Sequence, residues 1–322
     1  MYAAMKLVAA AAATIALTNA ASAQDAFPQK GANIEITVLF PAGSSADVTA
    51  RMLADGISRH LGTSVVVVNR PGAGGAIGYR HVAAQKPDGY ALVWNSNSIS
   101  TTHHSGTLAF NYEAFEPVAR VLVETPVLAV LADARWKTVG DMIVEAKAKP
   151  KTITVANSGV GSHTHISSVA LFRTAGAEVV DVPFGAAQVV TSLLGGQVDA
   201  AVQLPAALSE HVAAGKVRFL AAMIPKRDPA FPNVPTARES GVDVSLEAWR
   251  GIAVPKGTPK AVIAALEGAI RKTVASPEFI AGCQRIGARP LFAPAEEFGR
   301  LIAAEDAQLA RLMTLVGLKK GS

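Results

Sequence analysis

Strand-like and helix-like apolar patterns alternate along almost the whole chain, and that alternation restricts it to the α/β class. Runs rich in β-branched residues at 34–40, 65–69 and 90–94 read as strands. Between them, residues 47–61 set Val48, Met52, Leu53 and Ile57 on one helical face, and a second helix is expected to follow 71–75 as far as about Ala84. A second series begins near Thr125, with strands at 126–131, 153–156, 178–182, 198–203 and 217–224 and helices at 139–149, 162–175 and 188–194. Residues 245–254 then read as extended, and two helices follow at 259–274 and 295–316, with Pro277 and Pro294 punctuating that region. Strands joined by crossover helices build parallel sheets, so two parallel-type sheets flanked by helices are expected.

Two strand-to-helix turns, one from each series, resemble each other. The first is Phe40-Pro41-Ala42-Gly43-Ser44-Ser45-Ala46-Asp47 and the second Asn157-Ser158-Gly159-Val160-Gly161-Ser162-His163. The first amides of a helix have no partner within it, and they lie at the positive end of its dipole. Glycine lets the backbone approach closely and serine adds hydroxyl donors, so each turn suits an anion. Two such turns facing each other would hold a carboxylate without any Lys or Arg. Taken singly, Ser44, Ser45 and Ser162 are also ordinary helix N-caps.

Composition narrows the setting. Residues 1–6 carry one positive charge, 7–17 are small or apolar apart from Thr14, and Ala21-Ser22-Ala23 supplies a cleavage pattern. The apolar run is too short for a bilayer, where about 20 residues are needed, so a signal peptide over 1–23 cleaved before Gln24 is expected, and with it a periplasmic location. Of 322 residues, 50% are hydrophobic and 17% charged, enough core for two domains. The net charge of +5 comes from scattered Lys and Arg with no basic run, which excludes a nucleic-acid surface and weakly favours an anionic ligand. Cys283 is the only cysteine, so an internal disulfide and a cysteine-built zinc site are both excluded. A buried helical thiol is the simpler reading of it, a reactive one the other.

Several longer strings are similar to the Bug, or TctC-type, family, the extracytoplasmic receptors of tripartite tricarboxylate transporters. Val38-Leu39-Phe40-Pro41-Ala42-Gly43 with Asp47 and Ala50-Arg51 resembles the family's opening motif, and 67–78, Val-Val-Asn-Arg-Pro-Gly-Ala-Gly-Gly-Ala-Ile-Gly, its most specific stretch. Pro87-Asp88-Gly89-Tyr90, Ser158-Gly159 with Gly161 and His165, Val182-Pro183, Leu193-Leu194-Gly195-Gly196-Gln197-Val198-Asp199 and Ala214-Gly215-Lys216-Val217-Arg218 follow. Phe231-Pro232-Asn233-Val234-Pro235-Thr236 and Val254-Pro255-Lys256-Gly257-Thr258-Pro259 extend the likeness over essentially the whole chain after the signal.

The resemblance implies a two-lobed periplasmic binding protein of the type II-like kind, with a ligand cleft between lobes and hinge closure. Crossovers between lobes are expected near 121–125 and 247–251. Lobe one would then be 24–124 plus 248–322, and lobe two 125–247. The implied ligand is a small carboxylate delivered to a membrane permease, bound by a monomer without a cofactor or metal. The candidate ligand-binding residues are Phe40, Pro41, Ala42, Gly43, Ser44, Ser45 and Asp47 from the first turn, with Asn95 and Asn97 after the third strand. Ser158, Gly159, Gly161, Ser162, His163 and His165 from the second turn, with Phe184 and Gln203, complete the set. Ser44 and Ser45 stand where the family commonly has Gly and a small residue, Phe184 stands for a frequent Tyr, a usual Lys-Gly is shortened to Gly185, and Gln203 replaces a common acid. The last of these disfavours a ligand with an ammonium group.

Other readings are weaker. Gly72, Gly74, Gly75 and Gly78 do not match a dinucleotide loop, and Asp88 falls too early for a ribose acid. His163 and His165 sit two apart and His103-His104 are adjacent, with no H-E-x-x-H, so a polar lining is expected of the first pair rather than zinc. A protonated His165 would donate to the ligand and raise affinity below neutral pH. No G-x-S-x-G elbow is present, and Asp47 and Asp199 read as loop braces. Trp249 lies beside the second crossover, either reporting closure or packing in a core. A transport receptor is the leading function, a ligand sensor feeding a signalling kinase the alternative and an exported enzyme the third.

Overall fold

The computed structural model describes residues 27–315 and 317–319; the expected signal peptide and its cleavage point lie outside them. From Ile34 the chain runs β1 (Ile34–Val38), α1 (Ser45–Leu61), β2 (Val65–Asn69), α2 (Ala76–Ala83), β3 (Ala91–Ser96), α3 (Ser98–His104) and β4 (Phe115–Glu124). It passes into a second sheet through β5 (Val127–Leu131), α4 (Val139–Ala148), β6 (Thr154–Asn157), α5 (His163–Thr174), β7 (Val180–Pro183), α6 (Ala186–Leu194), β8 (Ala200–Gln203), α7 (Ser209–Ala213) and β9 (Val217–Ala222). It returns as β10 (Ala248–Pro255), α8 (Lys260–Val274), α9 (Pro277–Arg285), β11 (Ala288–Pro294) and α10 (Ala295–Leu315).

The first sheet has the order β11-β4-β10-β3-β1-β2 and the second β7-β6-β8-β5-β9. In the first, β1 is parallel to β2 and β3, Ile36 facing Val67 on one side and Leu92 on the other. In the second, β6 is parallel to β7 and β8. Both sheets nevertheless differ from the parallel-type expectation: they are mixed. β10 is antiparallel to β3 and β4, and β5 is antiparallel to β8 and β9. The parallel pairs lie among strands connected through helices within one sheet, since parallel pairing requires such a crossover. The strands that enter or leave a sheet from its neighbour carry no such constraint.

β4 and β10 form the long seam of the first sheet, with Glu124 opposite Ala248 at one end and Phe115 opposite Pro255 at the other. The two connections between sheets, at 125–126 and just before Ala248, therefore emerge side by side. Packing is divided in the same way. One core surrounds the first sheet, including Ile36, Leu53, Trp94, Val121, Ile252 and Phe298. Two others cover opposite faces of the second sheet, around Val155 and Phe172 and around Ala156 and Leu193. Among the described residues, no helix is long and apolar enough to cross a membrane.

Five elements are absent from the sequence-level reading, α3, β4, α7, α9 and β11, and all but the short α7 have a local reason. Pro117 and Pro290 interrupt the apolar alternation of β4 and β11, yet the ladder slips past the residue beside Pro117, and β11 is an edge strand. Those are the places where a sheet tolerates proline. Pro277 is not a break but the first residue of α9, capped by Ser276 accepting from Phe279 N–H at 3.2 Å. α3 is a Ser/Thr/Ile/His segment buried from Ser98 to Thr102, so it shows no amphipathic period.

Candidate functional site

The turn after β1 is held by its own side chains. Ser44 is the N-cap of α1, accepting from Asp47 N–H at 3.3 Å, and Gly43 adopts a left-handed φ of 76°. The Asp47 carboxylate accepts from Gly43 N–H and from Asn69 Nδ2, both at 3.0 Å, and pairs with Arg51 at 2.8 Å. Burial pushes the Asp47 pKa up, but these hydrogen bonds and the Arg51 charge outweigh it and hold it below the usual range. The turn after β6 is built alike: Ser162 caps α5 through His165 N–H at 3.2 Å, and Thr164 Oγ1 accepts from Ser158 N–H at 2.9 Å. Gly161 N–H donates to His165 Nδ1 at 3.1 Å.

These two turns converge across the gap between the sheets. Between them lies a narrow cavity of about 20 Å³, lined by Phe40, Ser44 and Ser45 from the first turn and Ser158, Ser162 and His163 from the second. That is the space of roughly one water molecule, so the two sides stand close together. Ser96, Asn97, Gln203 and Arg250 complete much of the wall. Gln203 Nε2 donates to Ser158 Oγ at 3.1 Å, and Asn97 Oδ1 accepts from Trp249 N–H at 2.9 Å. A wider cavity of about 490 Å³ adjoins it outward, sharing Phe40 and Ser158 and adding Pro41, Gly159, Phe184 and the glycine loop 72–75. That loop touches the second turn directly, since a Cβ added to Gly74 would stand 2.8 Å from the Val160 carbonyl oxygen.

One wall of the inner cavity carries a charge pair. Arg250 on β10 and Glu124 at the end of β4 are both buried, with Nε 3.3 Å from Oε2. Ser45 Oγ donates to the other carboxylate oxygen of Glu124. The two terminal nitrogens of Arg250 make no hydrogen bond to any described residue, and its guanidinium lies 5.9 Å from the Phe40 ring centre. Chemically, the cavity offers an arginine fork, many hydroxyls and two helix N-termini, a set that recognises an anionic oxygen pair. His163 is buried with Nε2 3.0 Å from the Leu246 carbonyl, and desolvation lowers its pKa to about 4.

A family model described as the Tripartite tricarboxylate transporter family receptor, TctC, matches residues 49–318. The chain belongs to the TctC receptor family. Protein BugT of Bordetella pertussis (strain Tohama I) is 31% identical over 301 residues, covering 92% of each chain. The periplasmic binding protein BugD has a TM-score of 0.86 at 29% identity, covering 90% of this chain and 99% of BugD. The R. palustris protein Rpa4515, solved with adipate, has a TM-score of 0.85 at 27% identity, covering 89% and 98%. The two-lobed periplasmic binding fold and the solute-binding function of TctC receptors, both expected from the sequence, hold for this chain.

Within this TctC receptor, the predicted residues separate into groups. Phe40, Ser44, Ser45, Asn97, Ser158, Ser162, His163 and Gln203 meet at the inner cavity, and Pro41, Gly159 and Phe184 at the outer one. Ala42 and Gly43 are exposed parts of the first turn. Asp47 and Gly161 brace their turns through the bonds given above, and Asp199 does the same for β6, accepting from Thr154 N–H at 2.9 Å. Asn95 turns away to bind Tyr79 OH at 2.8 Å. His165 does not reach the cleft; its Nδ1 is occupied by Gly161, and it lines a separate surface cavity with Asp181. Its expected role as a protonated donor to the ligand gains no support, since burial lowers its pKa.

Arg250 and Glu124 were not singled out by the sequence reading, and they set a buried charge pair beside the two turns that were expected to hold an anion without any Lys or Arg. Each lies on a strand of the seam, with no motif around it; the one available signal was a lone arginine inside the apolar run 248–255, of which every residue is buried. Trp249 packs in the core against Phe298 with ring centres 5.0 Å apart, its indole N–H on Glu305. A larger groove of about 980 Å³ opens beside it, between α10 and residues 224–229 and 245–247, and includes neither helix N-terminus.

Proposed function

We propose that this receptor captures a small carboxylate in the inner cavity and delivers it to the membrane permease of a tripartite tricarboxylate transporter. The observation that carries the reading is the convergence on one cavity of two capped helix N-termini and the free fork of Arg250. Each N-terminus favours an anion by about 0.3–1 kcal/mol, and a buried arginine adds a charge-assisted pair of hydrogen bonds. Adipate in Rpa4515 agrees in ligand class. The apolar lining of the outer cavity by Phe40, Pro41 and Phe184 suits the carbon chain of the ligand.

In this reading the lobes are 24–124 with 248–322, and 125–247, and closure bends the paired connections beside Glu124 and Ala248. The protein works as an exported monomer, released from its signal peptide before Gln24. It binds its ligand and does not transform it. A thermal-shift screen of the protein from Gln24 onward against succinate, citrate, adipate, glutamate and terephthalate tests the reading. A ligand of the folded state at a hundredfold excess over its Kd stabilises by about 2.7 kcal/mol, a shift of several degrees. No shift with any acid would remove the grounds for a carboxylate.

A further inference from the structure

The chain that returns to the first sheet serves two different spaces. Ala248 and Arg250 line the inner cavity, whereas Glu247 and Trp249 line the groove of about 980 Å³, as the alternation of an extended chain requires. The returning connection is therefore a wall shared by cleft and groove. Two further contacts cross it. Leu246 lines the groove, while its carbonyl oxygen lies 3.0 Å from Nε2 of His163 in the cavity. Asn97 lines the cavity, and its Oδ1 accepts from Trp249 N–H at 2.9 Å.

The groove straddles both sheets. Trp249 and Leu301 on its wall pack with the core of the first, Leu246 and Leu312 with a core of the second. Its volume lies in the range of small-molecule sites. The buried residues of its lining are all apolar, Val123, Ile224, Trp249 and Leu309, and its exposed ones include Lys226, Arg227 and Arg289. Several of its charges are already taken: Glu247 pairs with Arg289, Arg227 with Glu239 at 2.9 Å, and Glu305 accepts from the Trp249 indole N–H. Lys226 has no ion pair or hydrogen bond to any described residue, and Arg120 uses only its Nε, on Leu291 O at 3.0 Å. The unused donors are cationic. An occupant with a negative head and an apolar body complements them, whereas a small di- or tricarboxylate would leave the apolar floor bare.

We propose that this groove is a second binding site, for an acid carrying a larger apolar body, and that its occupancy and closure of the cleft favour one another. The coupling follows from the shared wall. A rotation of the two sheets about it narrows one space as it widens the other, and here the cleft is narrow, about 20 Å³, where the groove is wide. An occupant that holds the groove wide holds the cleft narrow, and linkage makes the effect reciprocal.

Fluorescence titration with 8-anilinonaphthalene-1-sulfonate, an apolar body with one sulfonate, tests the site. Its emission should rise saturably on the native protein. Dodecanoate should displace it and dodecyltrimethylammonium should not. Lys226→Glu reverses an exposed charge and should weaken binding about tenfold; Ala304→Trp, from the exposed face of α10, should fill the groove and abolish it. No saturable signal, equal displacement by the cationic amphiphile, or unchanged binding in both variants would overturn the site. This assay needs no cleft ligand, so it succeeds or fails apart from the carboxylate reading above. The coupling is read by calorimetry with the small acid that stabilises the protein most. That acid should bind about fivefold tighter or more when dodecanoate saturates the groove; equal or weaker affinity would overturn the coupling.

Discussion

The Nε of Arg250 lies 3.3 Å from Oε2 of Glu124, across the two strands by which the chain leaves the first sheet and returns to it. A buried pair of this kind is weak evidence for stability, because desolvation offsets its attraction, but breaking it strands a charge. Arg250→Met is therefore predicted to destabilise the protein by about 3–5 kcal/mol and to abolish carboxylate binding. Adding Glu124→Gln should restore most of the stability without restoring binding. Urea denaturation and calorimetry on the two variants separate these effects; recovery of binding in the double variant would show that Arg250 is not the anchor.

A buried histidine and a partly buried carboxyl near the cleft should make stability depend on pH with opposite slopes. Burial raises the Glu305 carboxyl to about 7, the Trp249 and Asn97 hydrogen bonds opposing the shift. Its contribution is full below the unfolded value near 4.5 and lost as pH rises through about 7. For His163, held near 4 by burial, the contribution is full above the unfolded value near 6.5 and lost as pH falls toward 4. Each spans roughly 3 kcal/mol at about 1.4 kcal/mol per pKa unit, so they nearly cancel. Glu305→Gln should expose the His163 slope, with stability rising from pH 4 to 6.5 in urea titrations; a flat profile would contradict the assignment.

Gly74 bridges the two sides of the cleft through its lack of a side chain. A Cβ there would meet Val160 O at 2.8 Å, whereas Gly196, with nearly the same left-handed φ, has nothing within 4 Å. Gly196→Ala should cost about 1–2 kcal/mol of backbone strain and leave affinity intact. Gly74→Ala should carry the same strain and in addition lower affinity about tenfold or more, since closure must expel the methyl group. Equal affinities in the two variants would show that this contact plays no part in ligand capture.

Cys283 should be inert. It is fully buried, and burial, with the negative charge of Glu124 adding to it, pushes its thiol up to about 12. A thiol reagent at pH 8 should label it only after denaturant is added; rapid labelling of the native protein would refute this.

Much of the fold was legible because strand and helix periods are strong where a single face is buried. β2 falls at 65–69 as read, and α1 starts two residues before its expected first residue. The site's frame was legible for a similar reason: the Gly and Ser residues of both turns are local signals of a helix start. What escaped were relations between distant strands. Arg250 and Glu124 are far apart in sequence and meet only because β4 and β10 pair, and no local pattern records that pairing. His165 misled because two histidines close together in a turn leave the helix in different directions, His163 into the cavity and His165 toward Asp181.

The most direct test is a crystal structure of the protein bound to whichever carboxylate stabilises it most. The account predicts a ligand carboxylate oxygen within about 3 Å of the terminal nitrogens of Arg250, with the same group facing the first amides of α1 or α5. A ligand seated instead in the groove beside Trp249, or one lying in the cleft with its carboxylate turned away from Arg250, would contradict it.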